Sequence, residues 1–216
     1  LDGGEPMATL QGVYSASVLD NRDREGQARV MVRVPGVAET GIWARLATMM
    51  AGRDRGTLFV PDVGDEVLIA FEHGDARSPY VLGSLWNGKD KPPQSSGDVA
   101  STKMIRSRSG VTLRIDDKAS SLVIETTAGQ RITLQDGPGT VRVEDQNGNS
   151  VTLATSGVTI HANATVTVSG AQVEVNASMV RVNAGMSQFS GVVQCDTLIA
   201  NSVAASSYTP GAGNIW

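Results

Sequence analysis

Apolar and polar residues alternate with a period of two along most of this chain, which is the pattern of β-strands that bury one face. In the first part, Val67, Ile69 and Phe71 lie on one side of the clearest strand, which follows the turn sequence VGDE. Five segments of this kind, each bounded by Gly, Pro or Asp, predict a small closed or partly closed β-barrel. They span residues 12–20, 26–35, 41–47, 56–75 and 79–86.

The alternation continues through the second part of the chain, where the apolar residues are small and the turns become short. Pairs such as Ile132 and Leu134 are followed by turn sequences such as DGPG. Beyond residue 157 the parity of the apolar positions changes twice, at Gly170 and near Met179. Because a one-residue shift exchanges the two faces of a strand, each change indicates a corner at which the same face stays inward. The predicted inner residues are Val158, Ile160, Val166, Val168, Val173, Val175, Val180 and Val182.

This inner face needs a partner, because the second part of the chain offers neither a helical pattern nor bulky side chains to cover it. Residues 87–188 contain no Phe, Tyr or Trp, and only Glu174, Arg181 and Asp196 are charged after Val151. Burying a Val or Ile is worth roughly 1.5–3 kcal/mol, whereas ordering each residue costs about 1–2 kcal/mol of backbone entropy. One ribbon alone is therefore unfavourable.

Two arrangements would cover the face. A single-chain solenoid stacks successive turns on itself with a regular repeat, but the spacing of the turns here is interpreted as irregular. Three identical ribbons around a common axis would turn their apolar faces inward and pair their edges with one another. We therefore predict an all-β homotrimer in which an N-terminal barrel is followed by a C-terminal intertwined triple-stranded β-helix or prism.

A segment rich in Pro, Gly and Ser, NGKDKPPQSSGD, separates the two parts of the chain. Trp43, Phe59 and Trp86 precede it, and we expect these rings to pack in the core of the barrel rather than bind a ligand. The predicted domains are a collar domain at 1–90, a linker at 91–105, and a spike shaft and tip at 106–216.

Charge and cysteine content disfavour several classes of protein. The net charge is −4, so no basic surface is indicated, and nucleic acid is disfavoured as the main partner. Cys195 is the only cysteine, so no intrachain disulfide is possible, and we expect it to be a small buried hydrophobe. No apolar run approaches the ~20 residues of a membrane-spanning helix. The N-terminal residues lack the basic and apolar regions of a secretory signal.

No group of residues forms a convincing catalytic site, so we expect no enzymatic activity and no cofactor. Asp62, Asp65 and Glu66 cluster, but acidic residues commonly solvate a turn that precedes a strand. His161 is assigned to the inward-facing set of residues 158–168, where three copies in a trimer could hold a metal or anion near the axis. A water-filled polar layer at this position is the favoured alternative.

Residues 43–93 carry a long ordered motif: W-A-R, then GTLFVPDVGDEVLIAF, and then HGDARSPYVLGSLWNG. This stretch resembles the baseplate assembly protein V family of phage tails and the VgrG spikes of type VI secretion. The ending ANSVAASSYTPGAGNIW also resembles the close of a phage spike. The resemblance implies an OB-fold in the first region and a trimeric β-helix in the second. In that family the trimer lies on the tail axis beneath the tube and is driven through the target envelope when the sheath contracts.

Three departures from the family pattern limit what the resemblance implies. A short linker stands where some members carry a lysozyme domain, so cell-wall hydrolysis is not expected. Only His73 and His161 are present, which excludes the His-x-His iron site found at the apex of some spikes. No hub domain precedes the barrel in this sequence, and we expect a separate hub protein to join the spike to the tube. The tip, with Tyr208 and Trp216, is expected to receive a separate PAAR-type cap.

We therefore predict a non-enzymatic homotrimeric central spike of a phage baseplate or related contractile injection system, which caps the tail tube and pierces the target envelope. The expected partners are its own copies, the hub protein, the tail tube, other baseplate proteins and, transiently, the target membrane. Assembly would take place in the bacterial cytoplasm. Two alternatives stay open. A trimeric tail fibre or receptor-binding β-helix would need aromatic or charged grooves, and a polysaccharide-degrading β-helix enzyme would need outward carboxylates or basic residues.

Overall fold

The computed structural model describes residues 9–93 and 99–207. The chain divides into two compact units, Leu1–Ala164 and Thr165–Trp216. The first unit contains a closed barrel and a separate antiparallel sheet, and two short 3₁₀ turns are the only helical segments in the described residues. The predicted all-β class is therefore confirmed. The predicted domain boundaries stay a prediction.

The barrel is closed by five strands in the order β1-β2-β3-β7-β6. Its interior is filled by small branched side chains, because alternate residues of each strand point inward. Val67 and Ile69 are fully buried and Phe71 is 8% exposed, so the predicted inward face of this strand is confirmed. The strands of this region are β1 (Val13–Asp20), β2 (Val30–Val34), β3 (Ala38–Leu46), β4 (Ala51–Gly52), β5 (Arg55–Gly56), β6 (Glu66–Phe71) and β7 (Pro79–Leu85).

The large aromatic rings mostly lie outside this core, contrary to the sequence-based expectation. Phe59 is 63% exposed and Trp86 is 69% exposed, while Trp43 is half-buried beneath the guanidinium of Arg29 at 5.6 Å. The buried core consists of Ala, Val and Ile residues together with Phe71. Branched aliphatic side chains fill most of the barrel interior, and Phe59 and Trp86 lie outside it.

Asp23 organises the connection between β1 and β2. Its carboxylate accepts hydrogen bonds from the backbone N–H groups of Glu25, Gln27 and Arg29 and from the Arg29 guanidinium, whose Nη2 lies 2.8 Å from Oδ1. The Asp23 side chain is only 3% exposed. The hydrogen bond from the Arg29 side chain, followed by those from the backbone, holds the pKa of Asp23 well below its usual value.

This lowered pKa predicts an acid-sensitive contribution to barrel stability. A carboxyl group whose pKa is depressed by folding stabilises the native state above its unfolded pKa of about 3.9, and the contribution is lost as the pH falls below it. We expect Asp23→Asn to lower the urea midpoint of the barrel at neutral pH, and we expect the difference from wild type to shrink at a pH of about 2. Asp54→Asn is the matched control, because the Asp54 side chain is 96% exposed and its substitution should leave the midpoint unchanged. An equal effect of both substitutions would contradict this assignment.

The second element of this unit is a seven-stranded antiparallel meander in which each strand pairs with its neighbours in sequence. Four of its turns end in a glycine with positive φ, Gly110, Gly129, Gly139 and Gly148, and the first, second and fourth of these glycines recur at equal spacing. In each turn the glycine N–H donates to the carbonyl oxygen three residues earlier. The strands are β8 (Thr102–Arg106), β9 (Thr112–Asp116), β10 (Ser121–Glu125), β11 (Arg131–Gln135), β12 (Thr140–Glu144), β13 (Ser150–Ala154) and β14 (Gly157–His161).

The second unit has no strand among its described residues, 165–207, although the sequence pattern predicts strands there. All of these residues are exposed in the single chain. A strand needs a neighbour to accept and donate its backbone hydrogen bonds. In the predicted prism that neighbour belongs to another copy of the chain.

A candidate self-association surface

The register of the meander stacks its apolar residues into two columns on one face. Each strand contributes its second and fourth residues, and directly paired residues of antiparallel strands project to the same side. We call the resulting surface the apolar ladder, and Lys103 is its one position that is not apolar. The first column contains Ile105, Leu113, Ile124, Ile132, Val143, Val151 and Ile160; the second contains Lys103, Ile115, Leu122, Leu134, Val141, Leu153 and Val158.

The apolar ladder is open to solvent in the single chain. Ile132 and Leu134 in its middle are 38% and 40% exposed, and exposure rises to 67% at Val158 on the last strand. No other described element of the first unit covers this face. Continuous apolar patches of this kind are rare on monomers and mark an interaction surface. The meander therefore presents a face that is completed by other molecules.

The opposite face of the meander is polar and fixes the register. Cross-strand pairing places Glu125 opposite Arg131 and Arg131 opposite Glu144, and the Arg131 Nη2 lies 2.6 Å from Glu125 Oε1. The hydrogen bond that Arg131 donates to the Glu125 carboxylate raises the pKa of Arg131. A one-residue slip of any strand would move such charges into the apolar ladder, so the two faces select a single pairing.

The sequence-predicted core residues fall into two groups. Val158 and Ile160 are the last members of the two columns of the apolar ladder. The other six are exposed in the second unit, at 56–71% of their surface, and no described strand pairs with them. Their predicted role at a trimer axis stays a prediction. These residues are Val166, Val168, Val173, Val175, Val180 and Val182.

His161 lies on the polar face, so its assignment to the inward-facing set is wrong. The apolar positions of β14 are the even-numbered Val158 and Ile160, and His161 alternates away from them. Its Nε2 lies 3.2 Å from Oδ1 of Asn163. Among the described residues, no group of three His, Cys, Asp or Glu side chains is placed to hold a metal ion.

The remaining candidate residues have structural contacts or lie elsewhere. Asp65 Oδ2 accepts from the Asp62 N–H at 2.8 Å, and Glu66 Oε2 accepts from Asn87 at 2.9 Å, so these acids order the turn before β6. Cys195 is exposed in the single chain, and its predicted burial depends on other copies. The predicted tip residues, Tyr208 and Trp216, lie outside the described residues.

The alternation predicted an apolar face that needs other copies, but it did not predict the hairpin pairing that aligns this face into two columns. The signal that could have predicted this pairing is the equal spacing of Gly110, Gly129 and Gly148, which places alternate hairpin turns of the meander at a regular interval. That regularity contradicts the interpretation of the turn spacing as irregular. Because the hairpins are in phase, the apolar pairs of successive strands superimpose instead of diverging.

The closed barrel and the uncovered apolar ladder define an all-β protein whose second sheet exposes an apolar face. Two family models match the chain. Residues 14–86 match the type VI secretion system/phage-baseplate injector OB domain, and residues 121–186 match the phage baseplate V C-terminal trimerisation domain. Together they cover more than half of the chain. The chain belongs to the baseplate V and VgrG-like spike family. The predicted domain order, an OB barrel followed by a trimerisation domain, is confirmed.

Individual relatives are similar over shorter segments. The type VI secretion system spike proteins VgrG2a and VgrG2b of Pseudomonas aeruginosa are each 32% identical over 80 residues, which is 35% of this chain and 10% and 8% of those proteins. The actin cross-linking toxin VgrG1 of Vibrio cholerae is 23% identical over 115 residues, 49% of this chain and 10% of the toxin. The matched segment thus spans about a tenth of each relative.

In the part of this chain that the structure describes, no helix is long and apolar enough to cross a membrane.

Proposed function

We propose that three copies of this chain form the central spike of a contractile phage tail or related injection system, which caps the tail tube and pierces the target envelope. The observation that carries the proposal is the apolar ladder, which is exposed in one chain and lies partly within the matched trimerisation domain. Three ladders turned toward a common axis cover one another, and each fully buried Val, Leu or Ile side chain contributes roughly 1.5–3 kcal/mol.

The second unit contributes to the shaft of the proposed spike. Its apolar valines and unpaired backbone find partners in the equivalent segments of two other copies, so that strand pairing between chains forms a continuous rod. After residue 164 the only charged residues are Glu174, Arg181 and Asp196. A nearly uncharged shaft avoids the large free-energy cost of moving ionised groups through the interior of a bilayer.

The proposed partners follow from the place of the spike at the end of the tail tube. The three barrels form a collar that a hub protein joins to the tail tube, other baseplate proteins surround it, and a PAAR-type protein caps the tip. The spike is assembled in the bacterial cytoplasm, contacts the target membrane transiently and binds no nucleic acid. Its role is mechanical and not catalytic. The sheath supplies the force, and the spike supplies stiffness.

Electron cryomicroscopy of purified contractile particles tests this role. We expect threefold density that fits three copies of the barrel and meander at the distal end of the tail tube, on its axis. Particles carrying an epitope at the N-terminus of this chain should bind antibody at the same place, and untagged particles are the control. Antibody bound along peripheral fibres would instead identify a receptor-binding protein and overturn the proposal.

A further inference from the structure

Two Asn-Gly dipeptides occur in this chain, Asn87–Gly88 and Asn147–Gly148. Asparagine is a thermolabile residue, and the backbone nitrogen that follows it can attack its side-chain amide. A glycine at the second position favours this attack, because it has no side chain to hinder the approach. The reaction also requires that the amide can turn toward that nitrogen, and the structure gives the two asparagines very different freedom to do so.

Asn87 is held at both ends of its amide. Its Oδ1 accepts hydrogen bonds from the N–H groups of Lys89 at 2.9 Å and Asp90 at 2.7 Å, and its Nδ2 donates to Glu66 Oε2 at 2.9 Å. The residue is also half-buried. Turning this amide toward Gly88 would break all three bonds, so the folded barrel protects Asn87.

Asn147 is held much more loosely. It is exposed in the turn between β12 and β13, and its side chain makes one hydrogen bond to the described residues, from Nδ2 to Asp145 Oδ2 at 3.3 Å. The attacking group is also weakly held. The Gly148 N–H donates to the Asp145 carbonyl oxygen at 3.2 Å, whereas the equivalent bonds of the other three turn glycines measure 2.8–3.0 Å. Longer hydrogen bonds are weaker, so both reacting groups can leave their partners.

The turn itself requires the glycine that makes this asparagine reactive. Gly148 has a φ of +84°, and a Cβ at this position would lie 2.8 Å from Asn163 Nδ2. Asn163 packs against the turn, because its N–H donates to Asn149 Oδ1 at 2.9 Å and its Nδ2 donates to the Asn147 carbonyl oxygen. The other meander glycines with positive φ follow Ser, Ala or Pro. The reactive pair therefore belongs to this turn in particular.

We infer that Asn147 is a site of spontaneous deamidation in the folded protein. The Gly148 nitrogen loses its proton to solvent base and forms a bond to Asn147 Cγ, while the bond from Cγ to Nδ2 breaks and the side-chain nitrogen leaves as ammonia. Water then opens the resulting succinimide at either of its carbonyl carbons, which gives aspartate or isoaspartate. The net reaction converts an amide and water into a carboxylate and an ammonium ion.

Both products alter the hairpin between β12 and β13, which lies within the matched trimerisation domain. Aspartate replaces the Asn147 donor with a negative charge beside the Asp145 carboxylate, and like charges repel. Isoaspartate adds one atom to the main chain between residues 147 and 148. Because the geometry of the turn sets the register of a hairpin, the longer turn weakens the pairing of β12 with β13.

Peptide mapping of the purified full chain tests this inference. The protein is incubated at mildly alkaline pH below its unfolding temperature, and mass spectrometry with isoaspartate-specific enzymatic methylation follows both Asn-Gly pairs. We expect conversion to be several-fold faster at Asn147 than at Asn87. In urea Asn87 loses its hydrogen bonds, so the two rates should become similar. Asn147→Gln is the matched control, because it keeps an amide on a longer side chain and should abolish the product at this site.

The outcomes separate this inference from the proposed function. Equal rates at the two pairs in the folded chain would overturn it, and so would a rate at Asn147 no faster than at Asn149, which precedes a serine. A difference between the pairs that persists in urea would show that neighbouring residues and not the fold set the rates, and it would overturn the inference as well. A chain that is modified at Asn147 but stays monomeric would overturn the proposed trimer and leave this inference intact.

Discussion

Ile132→Glu is expected to abolish the trimer and leave a folded barrel on a single chain. Ile132 lies on β11 in the middle strand of the seven, and its neighbours across the ladder are Ile124 and Val143. In the trimer the substitution would bury one carboxylate per copy without a cationic partner. Each buried unpaired charge costs several kcal/mol, and three of them near one axis also repel one another. Sedimentation equilibrium should give three times the 22.6 kDa of one chain for the wild type and a single chain mass for the variant.

Thr133→Glu is the matched control for this substitution. Thr133 is the next residue of the same strand and projects to the polar face, where its cross-strand neighbours are Val123 and Arg142. The new carboxylate lies beside the Arg142 guanidinium and in contact with solvent, so the trimer mass should be retained. Equal masses for the two variants, whether trimer or monomer, would show that the apolar ladder does not determine assembly.

The barrel could be predicted from the sequence because its strands carry their own signal. Alternation, β-branched residues and bounding Gly, Pro or Asp residues located all five barrel strands, and Val67, Ile69 and Phe71 were correctly placed inward. The predicted segment 56–75 was too long, since its strand is only Glu66–Phe71. The short hairpin β4–β5 was missed because its two-residue strands are too short for alternation to be visible.

The surface of the second part was harder to predict, because alternation within a strand does not fix how strands align. The apolar ladder exists only when the hairpin turns hold neighbouring strands in phase, as Gly110, Gly129 and Gly148 do. His161 shows the same difficulty, since an error of one residue in parity moves a side chain to the opposite face. Exposed Phe59 and Trp86 show that ring size alone does not indicate burial.

The two parts of the first unit differ in the source of their stability. Among the residues that the structure describes, the barrel contains ten buried hydrophobic residues from one chain, whereas the meander contributes none to that core. A barrel that closes on itself has an interior before any association takes place. The meander has two surfaces and no interior, so its apolar residues become buried only when copies meet. Substitutions in the barrel should therefore affect unfolding of the collar, and substitutions in the ladder should affect assembly.

Ile69→Ala tests this separation from the side of the barrel. Ile69 is fully buried between Tyr14 on β1 and Val81 on β7, and the substitution leaves a cavity that the surrounding strands fill only in part. Truncations of this kind cost about 2–5 kcal/mol. We expect the urea midpoint of the barrel, followed by the fluorescence of Trp43, to fall accordingly, while sedimentation equilibrium under native conditions still gives the trimer mass.

The neighbouring residue Leu68 provides the control for the buried position. It lies on the same strand, projects to the outside of the barrel and is only half-buried, so Leu68→Ala removes apolar contacts without opening an internal cavity. Its cost should stay below about 1.5 kcal/mol, less than for the buried site. If Leu68→Ala destabilised the barrel as much as Ile69→Ala, the outer face of β6 would also be a packed interface, and the collar would not be stable by itself. If Ile69→Ala dissociated the trimer, assembly would depend on the barrel core, and the meander would not be the principal site of association.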